Sequence, residues 1–226
     1  MGAEISVIIP VYNEAKNVHA LVHGISSSLK GIAHEIIFVD DGSTDGTGGK
    51  IREMRKRGII YINRGSKKGL SSAVVCGLVR ASGKYVCVMD GDLQHDPKYI
   101  PELYRRARSK KGSIVIGSRF TGGVRNVQRH DSKLGTFICR HVLGVRARDP
   151  LSGFFMLERG RFAELAKGIN PIGYKILLEL LARGRFKNVV EVPIVFGMRS
   201  CGSSKLDLKT RVEFLKQITH LIFLGT

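Results

Sequence analysis

The chain has 226 residues, 43% hydrophobic and 25% charged, which is enough to bury a large core and too apolar for intrinsic disorder. Its 37 Lys and Arg against 19 Asp and Glu leave a net charge of +18, so the expected partner is anionic; nucleic acid, an anionic membrane surface and phosphorylated small molecules all satisfy that field. The four cysteines, Cys76, Cys87, Cys139 and Cys201, form no Cys-x-x-Cys pair, which fits a reducing compartment, and no apolar run approaches the roughly 20 residues of a membrane span. Ile5 to Pro10 reads as a strand so early that a signal peptide has no room before it. Strand-like and helical runs then alternate: helix Ala15 to Leu29, strand Glu35 to Val39, helix Asp45 to Arg57, strand Ile59 to Asn63, helix Leu70 to Ala81, strand Tyr85 to Met89. That alternation predicts a parallel sheet wound by right-handed crossovers. Pro97 opens a helix to Arg108, and Ser113 to Gly117 is a further strand ending at Ser118-Arg119.

Periodicity weakens after that. Thr121 to Arg129 reads as a loop, followed by a helix near Ser132 to Leu143, a turn at Asp149 to Gly153, a strand near Phe154 to Leu157 and a helix near Tyr174 to Arg183. Val189 to Phe196 is a strand interrupted by Pro193, hence at a sheet margin. Leu208, Val212, Leu215, Ile218 and Ile222 recur at helical spacing with a basic flank, a pattern suited either to a core-packed terminal helix or to one lying on a membrane surface. The expected organisation is one large α/β unit over residues 1–205 and an amphipathic helix over 206–226.

The chemistry concentrates where strands end. Asp90-Gly91-Asp92-Leu93-Gln94 closes a strand at the carboxyl edge of the sheet, where open α/β folds bind ligands. In an extended segment Asp90, Asp92 and Gln94 project to one side and could converge on a divalent cation of the Mg²⁺ or Mn²⁺ type, which prefers oxygen ligands. The turn Asp40-Asp41-Gly42-Ser43-Thr44-Asp45 faces the same edge; Ser43, Thr44 or Asp45 can cap the following helix, whereas adjacent Asp40 and Asp41 suggest binding. Lys98 to Arg148 holds thirteen basic residues and two acidic ones, candidates to meet an anionic group near a lipid surface. His95 and His130 belong to no spaced zinc-type set and read as polar loop residues; Glu179, on an apolar helix, has no assigned role. With 7% aromatic residues and no stacking motif among the Lys and Arg runs, a nucleic-acid partner is not expected.

These residues resemble a known family. Ser6 to Glu14 (SVIIPVYNE), Val39 to Thr47 (VDDGSTDGT) and Met89 to Pro97 (MDGDLQHDP) are similar in kind and order to glycosyltransferase family 2. Gly117-Ser118-Arg119, Asp149 to Phe154, Glu191 to Ile194 and Gly202 to Leu206 are similar to its dolichyl-phosphate mannose synthase branch. The resemblance implies a GT-A fold, that is, a Rossmann-like, mostly parallel twisted sheet flanked by helices. It also implies a nucleotide-sugar donor, a divalent cation, and inverting transfer of one sugar, usually mannose from GDP-mannose, to dolichyl or another polyprenyl phosphate. By motif position Pro10, Tyr12, Glu14, Asp40 and Asp41, with Asp90, would hold the nucleotide, and Asp90, Asp92 and Gln94 the metal and diphosphate. Arg119, Arg129, Ser132 and Lys205 would surround the phosphates, with Arg199, Tyr174 and Ser203 as further pocket candidates; Asp92, Arg119 and Lys205 would carry catalysis. The middle position of the acidic triplet is often Ala in the family; Gly91 here changes no ligand and is expected to loosen the turn. UDP-glucose or a UDP-N-acetylhexosamine as donor, a processive synthase and a noncatalytic nucleotide-sugar-binding module are the competing readings. The processive reading calls for a Gln-x-x-Arg-Trp motif, and the chain contains no Trp. The resemblance further implies a peripheral location on the cytoplasmic face of a membrane, with a membrane-anchoring partner subunit as a possible component.

Overall fold

The computed structural model describes residues 2–54, 58–66, 68–121, 139, 145–165, 168, 175–197 and 216–223. Seven strands form one sheet: β1 (Ile5–Val11), β2 (His34–Asp40), β3 (Ile59–Asn63), β4 (Tyr85–Val88), β5 (Ile114–Ser118), β6 (Phe155–Glu158) and β7 (Val189–Pro193). Their order across the sheet is β3-β2-β1-β4-β6-β5-β7. All neighbours are parallel except β6, which runs antiparallel to both β4 and β5.

Helices cover both faces, which is why the central strands are apolar without alternation. Ile8, Ile37, Val39, Val86, Val88, Ile114, Ile116, Phe155 and Leu157 point to one side. There they meet Val74 and Leu78 of α3 (Leu70–Arg80), Phe162 of α5 (Arg159–Leu165) and the leucines of α6 (Ile176–Gly184). Val7, Ile9, Val11, Phe38, Cys87, Val115 and Met156 point to the other. That face is closed by Leu21 and Ile25 of α1 (Val18–Ser28), Ile51 of α2 (Thr47–Glu53) and Leu103 of α4 (Ile100–Ser109). Gly77 lets α3 lie directly on the sheet, since a Cβ there would sit 2.4 Å from Ile8 Cγ2.

Two local differences from the sequence reading have plain causes. The helix expected from Pro97 begins as a single 3₁₀ turn, Pro97–Tyr99, whose first turn is capped by Asp96 accepting from Lys98 N, before α4 takes over. Helix α5 was not expected, because Arg159-Gly160-Arg161 masks any apolar period and Phe162 is its one buried side chain. The terminal segment is helical over residues 216–223, where Ile218 and Leu221 enter the core with α6. Ile222 and Phe223 stay exposed, at 38% and 78%. Strand β7 lies at the margin of the sheet and ends on Pro193, where no ladder N–H is needed.

The sheet's two edges carry different chemistry. Lys84, Arg159, Lys110, Lys111 and Lys187 flank the amino-terminal ends of β4, β5 and β7 and the end of antiparallel β6, all exposed. Arg105, Arg106 and Arg108 lie in the second half of α4, on the way to that edge. Of the run from Lys98 to Arg148, Arg105, Arg106, Arg108, Lys110 and Lys111 therefore lie toward the edge opposite the acidic cluster.

Candidate active site

Strand β1 sends its crossover through α1 to β2 on one side, while β4 lies on its other side after α3. The carboxyl ends of β1 and β4 thus flank the topological switch point, where a crevice opens in doubly wound sheets. Asp90-Gly91-Asp92 leaves β4 there beside Pro10-Val11-Tyr12. Gly91 brings the two strand ends together: a Cβ on it would lie 3.1 Å from Val11 Cγ1 and 3.3 Å from Pro10 O. The glycine therefore tightens the turn, contrary to the looser turn expected.

Asp92 is 7% exposed and its Oδ1 accepts from Gln94 N at 3.1 Å. Between them Leu93 adopts φ +63°, a left-handed conformation that costs a non-glycine residue about 1–2 kcal/mol. This turn ends the extended geometry on which a one-sided Asp90, Asp92 and Gln94 depends. Gln94 instead faces the segment after β7, its Nε2 donating to Gly197 O at 3.0 Å while Gly197 N donates to Gln94 O at 2.9 Å. Asp90 and Asp92, on either side of Gly91, remain as two hard oxygen donors at this edge of the sheet. Among the described residues no three His, Cys, Asp or Glu side chains form a cluster able to hold a metal alone. Two carboxylates suit a Mg²⁺ or Mn²⁺ ion whose remaining positions are filled by phosphate oxygens and water.

Arg119, at the end of β5, is held in a fork by Asp149, with Nε to Oδ2 at 2.8 Å and Nη2 to Oδ1 at 2.6 Å. Its backbone N also donates to Asp149 Oδ2, at 3.0 Å. Asp149 is fully buried, and its own N and that of Arg148 donate to Glu191 of β7. The loop from Asp149 to Gly153 packs onto Asp90, since a Cβ at Gly153 would lie 2.2 Å from Asp90 Oδ2.

His95, read from sequence as a polar loop residue, is 1% exposed between Phe154 and Phe196, with ring centroids 5.3 and 5.1 Å away. Burial pushes its imidazole down to about 4, so at neutral pH it is uncharged and its 3.7 Å approach to Asp90 Oδ2 is not an ion pair. Lys175, also unassigned from sequence, donates from Nζ to Leu151 O at 2.8 Å. Neither residue could be found by periodicity, because each stands at the polar end of a motif or helix.

The turn after β2 is largely engaged by the fold. Asp40 Oδ1 accepts from Ser43 N and Oγ at 2.9 and 2.6 Å, and Oδ2 from Tyr61 OH at 2.7 Å. Asp41 Oδ1 pairs with Arg64 at 3.1 Å, and Oδ2 accepts from Lys68 N and Gly69 N at the start of α3. Asp45 accepts from Ala15 N and from Thr47 N and Oγ1, and Asn13 exchanges bonds with Ser43 and Thr44, so the first two loops are laced together beside Tyr12 and Glu14. Arg129, Ser132, Arg199 and Lys205, with Tyr174 and Ser203, lie outside the described residues.

The Asp40 bond gives an alkaline prediction. Burial first, then the Asp40 hydrogen bond, pushes Tyr61 up to about 12 from 10. The folded state thus favours the protonated phenol, a contribution complete below pH 10 and lost as pH rises from 10 to 12. Tyr61→Phe is expected to lower stability at pH 8 by about 1 kcal/mol and to flatten the decline between pH 10 and 12, read as urea midpoints against pH. An unchanged alkaline slope would remove Tyr61 from that linkage.

A mainly parallel sheet that gathers paired aspartates, a forked arginine and a loop-rich carboxyl edge at the switch point is a GT-A architecture. Solved structures agree on the fold. Glucosyl-3-phosphoglycerate synthase from Mycobacterium tuberculosis in complex with UDP matches with a TM-score of 0.73 at 22% identity, over 99% of this chain and 80% of that one. The same enzyme with Mn²⁺, UDP-glucose and phosphoglyceric acid matches at 0.74 and 21% identity, over 99% and 79%. The model for glycosyl transferase family 2 matches residues 6–165, and the chain belongs to that family. Among curated proteins it is 44% identical over 230 residues to the dolichol-phosphate mannosyltransferase of Pyrococcus furiosus, across 97% of this chain and 64% of that protein. It is 36% identical to that of Mycosarcoma maydis, across 96% and 78%, and 34% identical to that of Saccharomyces cerevisiae, across 98% and 88%. The chain thus spans just under two thirds of the archaeal relative.

Proposed function

We propose that the protein is an inverting glycosyltransferase that moves one mannose from GDP-mannose to dolichyl or another polyprenyl phosphate. The observation that carries this is the carboxyl edge of the sheet beside the β1/β4 switch point, where Asp90 and Asp92 follow β4 and Arg119, forked by Asp149, follows β5 within the field of Asp90. The names of the relatives at 34% to 44% identity supply the sugar and the acceptor class.

In this proposal Pro10, Tyr12 and Glu14 line the nucleoside side, with Asp40 and Asp41 fixing its walls. Asp90 and Asp92 would hold a divalent cation of the Mg²⁺ or Mn²⁺ type, which supplies electrostatic stabilisation to the leaving diphosphate. Gln94 acts by tying that turn to Gly197. Arg119, with Arg129, Ser132, Arg199 and Lys205 of the sequence, meets the phosphates of donor and acceptor. A phosphate-monoester oxygen attacks the anomeric carbon as the bond to the diphosphate oxygen breaks, releasing GDP. That nucleophile, with a second pKa near 6, is largely dianionic at neutral pH, so no side chain has to remove a proton. A position at a membrane surface follows from the lipid acceptor, and the cytoplasmic face is the side the family resemblance implies. No helix among the described residues is long and apolar enough to cross a membrane; exposed Ile222 and Phe223 offer a surface contact.

The test is transfer of labelled mannose from GDP-mannose to detergent-dispersed dolichyl phosphate, followed by organic extraction, beside UDP-glucose and UDP-N-acetylglucosamine. Lipid-phase label from GDP-mannose, abolished by EDTA and restored by Mn²⁺, is expected. Label from a UDP-sugar alone would overturn the donor, and transfer indifferent to chelator would overturn the role of the carboxylates.

A further inference from the structure

Residues 149–153 touch both halves of the crevice at once. Asp149 holds the guanidinium of Arg119, and Gly153 lies so close to Asp90 that a Cβ would overlap its carboxylate. Between these points Ser152 Oγ donates to Gly117 O at 2.8 Å, and Leu151 O accepts from Lys175 Nζ, also at 2.8 Å. Lys175 stands immediately before α6, and its own carbonyl accepts from Gln217 Nε2 of the terminal helix at 3.0 Å. Gln217 is 1% exposed, so this second bond is fixed by burial. The ammonium also lies in the field of Asp90, Asp149 and Arg119.

We infer that Lys175 is a positioning residue for the crevice: by tying the 149–153 loop to α6 it sets the place of Asp90 through Gly153 and of Arg119 through Asp149. The inference rests on the proposed function, since it takes Asp90 and Arg119 as the groups that meet the diphosphate. An ammonium suits the task better than a neutral donor. It offers a charge-assisted bond to Leu151 O, and its charge lies in the field of the carboxylates of Asp90 and Asp149. Burial lowers the proton affinity of the lysine, and the nearby carboxylates of Asp90 and Asp149 restore part of it.

The experiment compares GDP binding by calorimetry with and without Mn²⁺ in wild type, Lys175→Met and Lys175→Arg, with far-UV circular dichroism and steady-state transfer on the same samples. Wild type is expected to bind GDP more tightly with Mn²⁺. Lys175→Met should keep its metal-free GDP affinity, lose about tenfold of the Mn²⁺-dependent gain, and show a lower kcat. Lys175→Arg should recover part of both. A merely structural lysine would lower the melting temperature and leave the ratio of affinities with and without Mn²⁺ unmoved. Should Lys175→Met fail to fold, Gln217→Leu, which frees the carbonyl of Lys175, should reproduce a smaller loss of the same ratio. A wild-type ratio and kcat in whichever of the two variants folds overturns the inference while leaving the proposed function standing. No Mn²⁺-dependent gain in wild type overturns both.

Discussion

Asp92→Asn is expected to lower the proposed transfer about 10²- to 10³-fold with the fold unchanged, the scale on which one electrostatic contact to a developing anion is worth. The substitution is nearly isosteric, and an amide oxygen can still accept from Gln94 N, so the turn through Leu93 keeps its shape. What disappears is one of two carboxylate charges flanking Gly91. The loss should therefore appear as weaker Mn²⁺-dependent nucleotide binding together with a lower kcat. The shape of the pH–rate profile should stay as in wild type, because the acceptor phosphate brings its own negative charge and no proton has to be taken by Asp92. Near-native turnover, or activity recovered simply by raising the pH, would show that this carboxylate is a solvated turn residue or a base.

Much of this crevice was legible because its parts are local. A buried strand that ends in Asp90-Gly91-Asp92 has one place to put its acids, and the apolar runs of Ile5–Val11 and Tyr85–Val88 require burial on both faces, hence neighbouring central strands. The contacts that set the acids in place are not local. Asp149 reaches Arg119 across thirty residues, Gln94 reaches Gly197 across 103, and Lys175 reaches Leu151 from a position that carries no pattern. Spacing along the chain cannot show such pairs. The extended projection assumed for Asp90, Asp92 and Gln94 fails for a different reason: the left-handed φ of Leu93 is a tertiary outcome, held by the Asp92 and Gly197 bonds on either side, and leucine gives no hint of it. His95 deceived in the same way, since a polar residue amid Asp and Gln reads as solvated until Phe154 and Phe196 close over it. Topology divides the basic run in a way spacing cannot show: α4 carries its second half, with Arg105, Arg106 and Arg108, from the carboxyl edge, where β4 ends, to the opposite edge, where β5 begins.

Asp149→Asn is expected to be the most destabilising of the single changes considered, at about 3 kcal/mol, because removing one partner of a buried ion pair strands the other charge. Asp149 has no exposed surface and accepts three hydrogen bonds from Arg119, whereas the Arg119 side chain is 18% exposed and can recover some hydration, which places the cost at the lower end of the range for such pairs. For a chain of this length that corresponds to a fall of roughly 6–12 °C in melting temperature. Activity should fall too, since the guanidinium loses the fork that aims it at the crevice. A double variant separates the two effects. Replacing both partners with apolar residues of similar size, as in Arg119→Met with Asp149→Leu, removes the stranded charge, and such replacements are often neutral or stabilising. Its melting temperature should return toward wild type while transfer stays lost, showing that the pair is kept for the charge it presents and not for the stability it adds. A single variant that melts within 2 °C of wild type (under about 1 kcal/mol), or a double variant that regains transfer, would refute that division of roles.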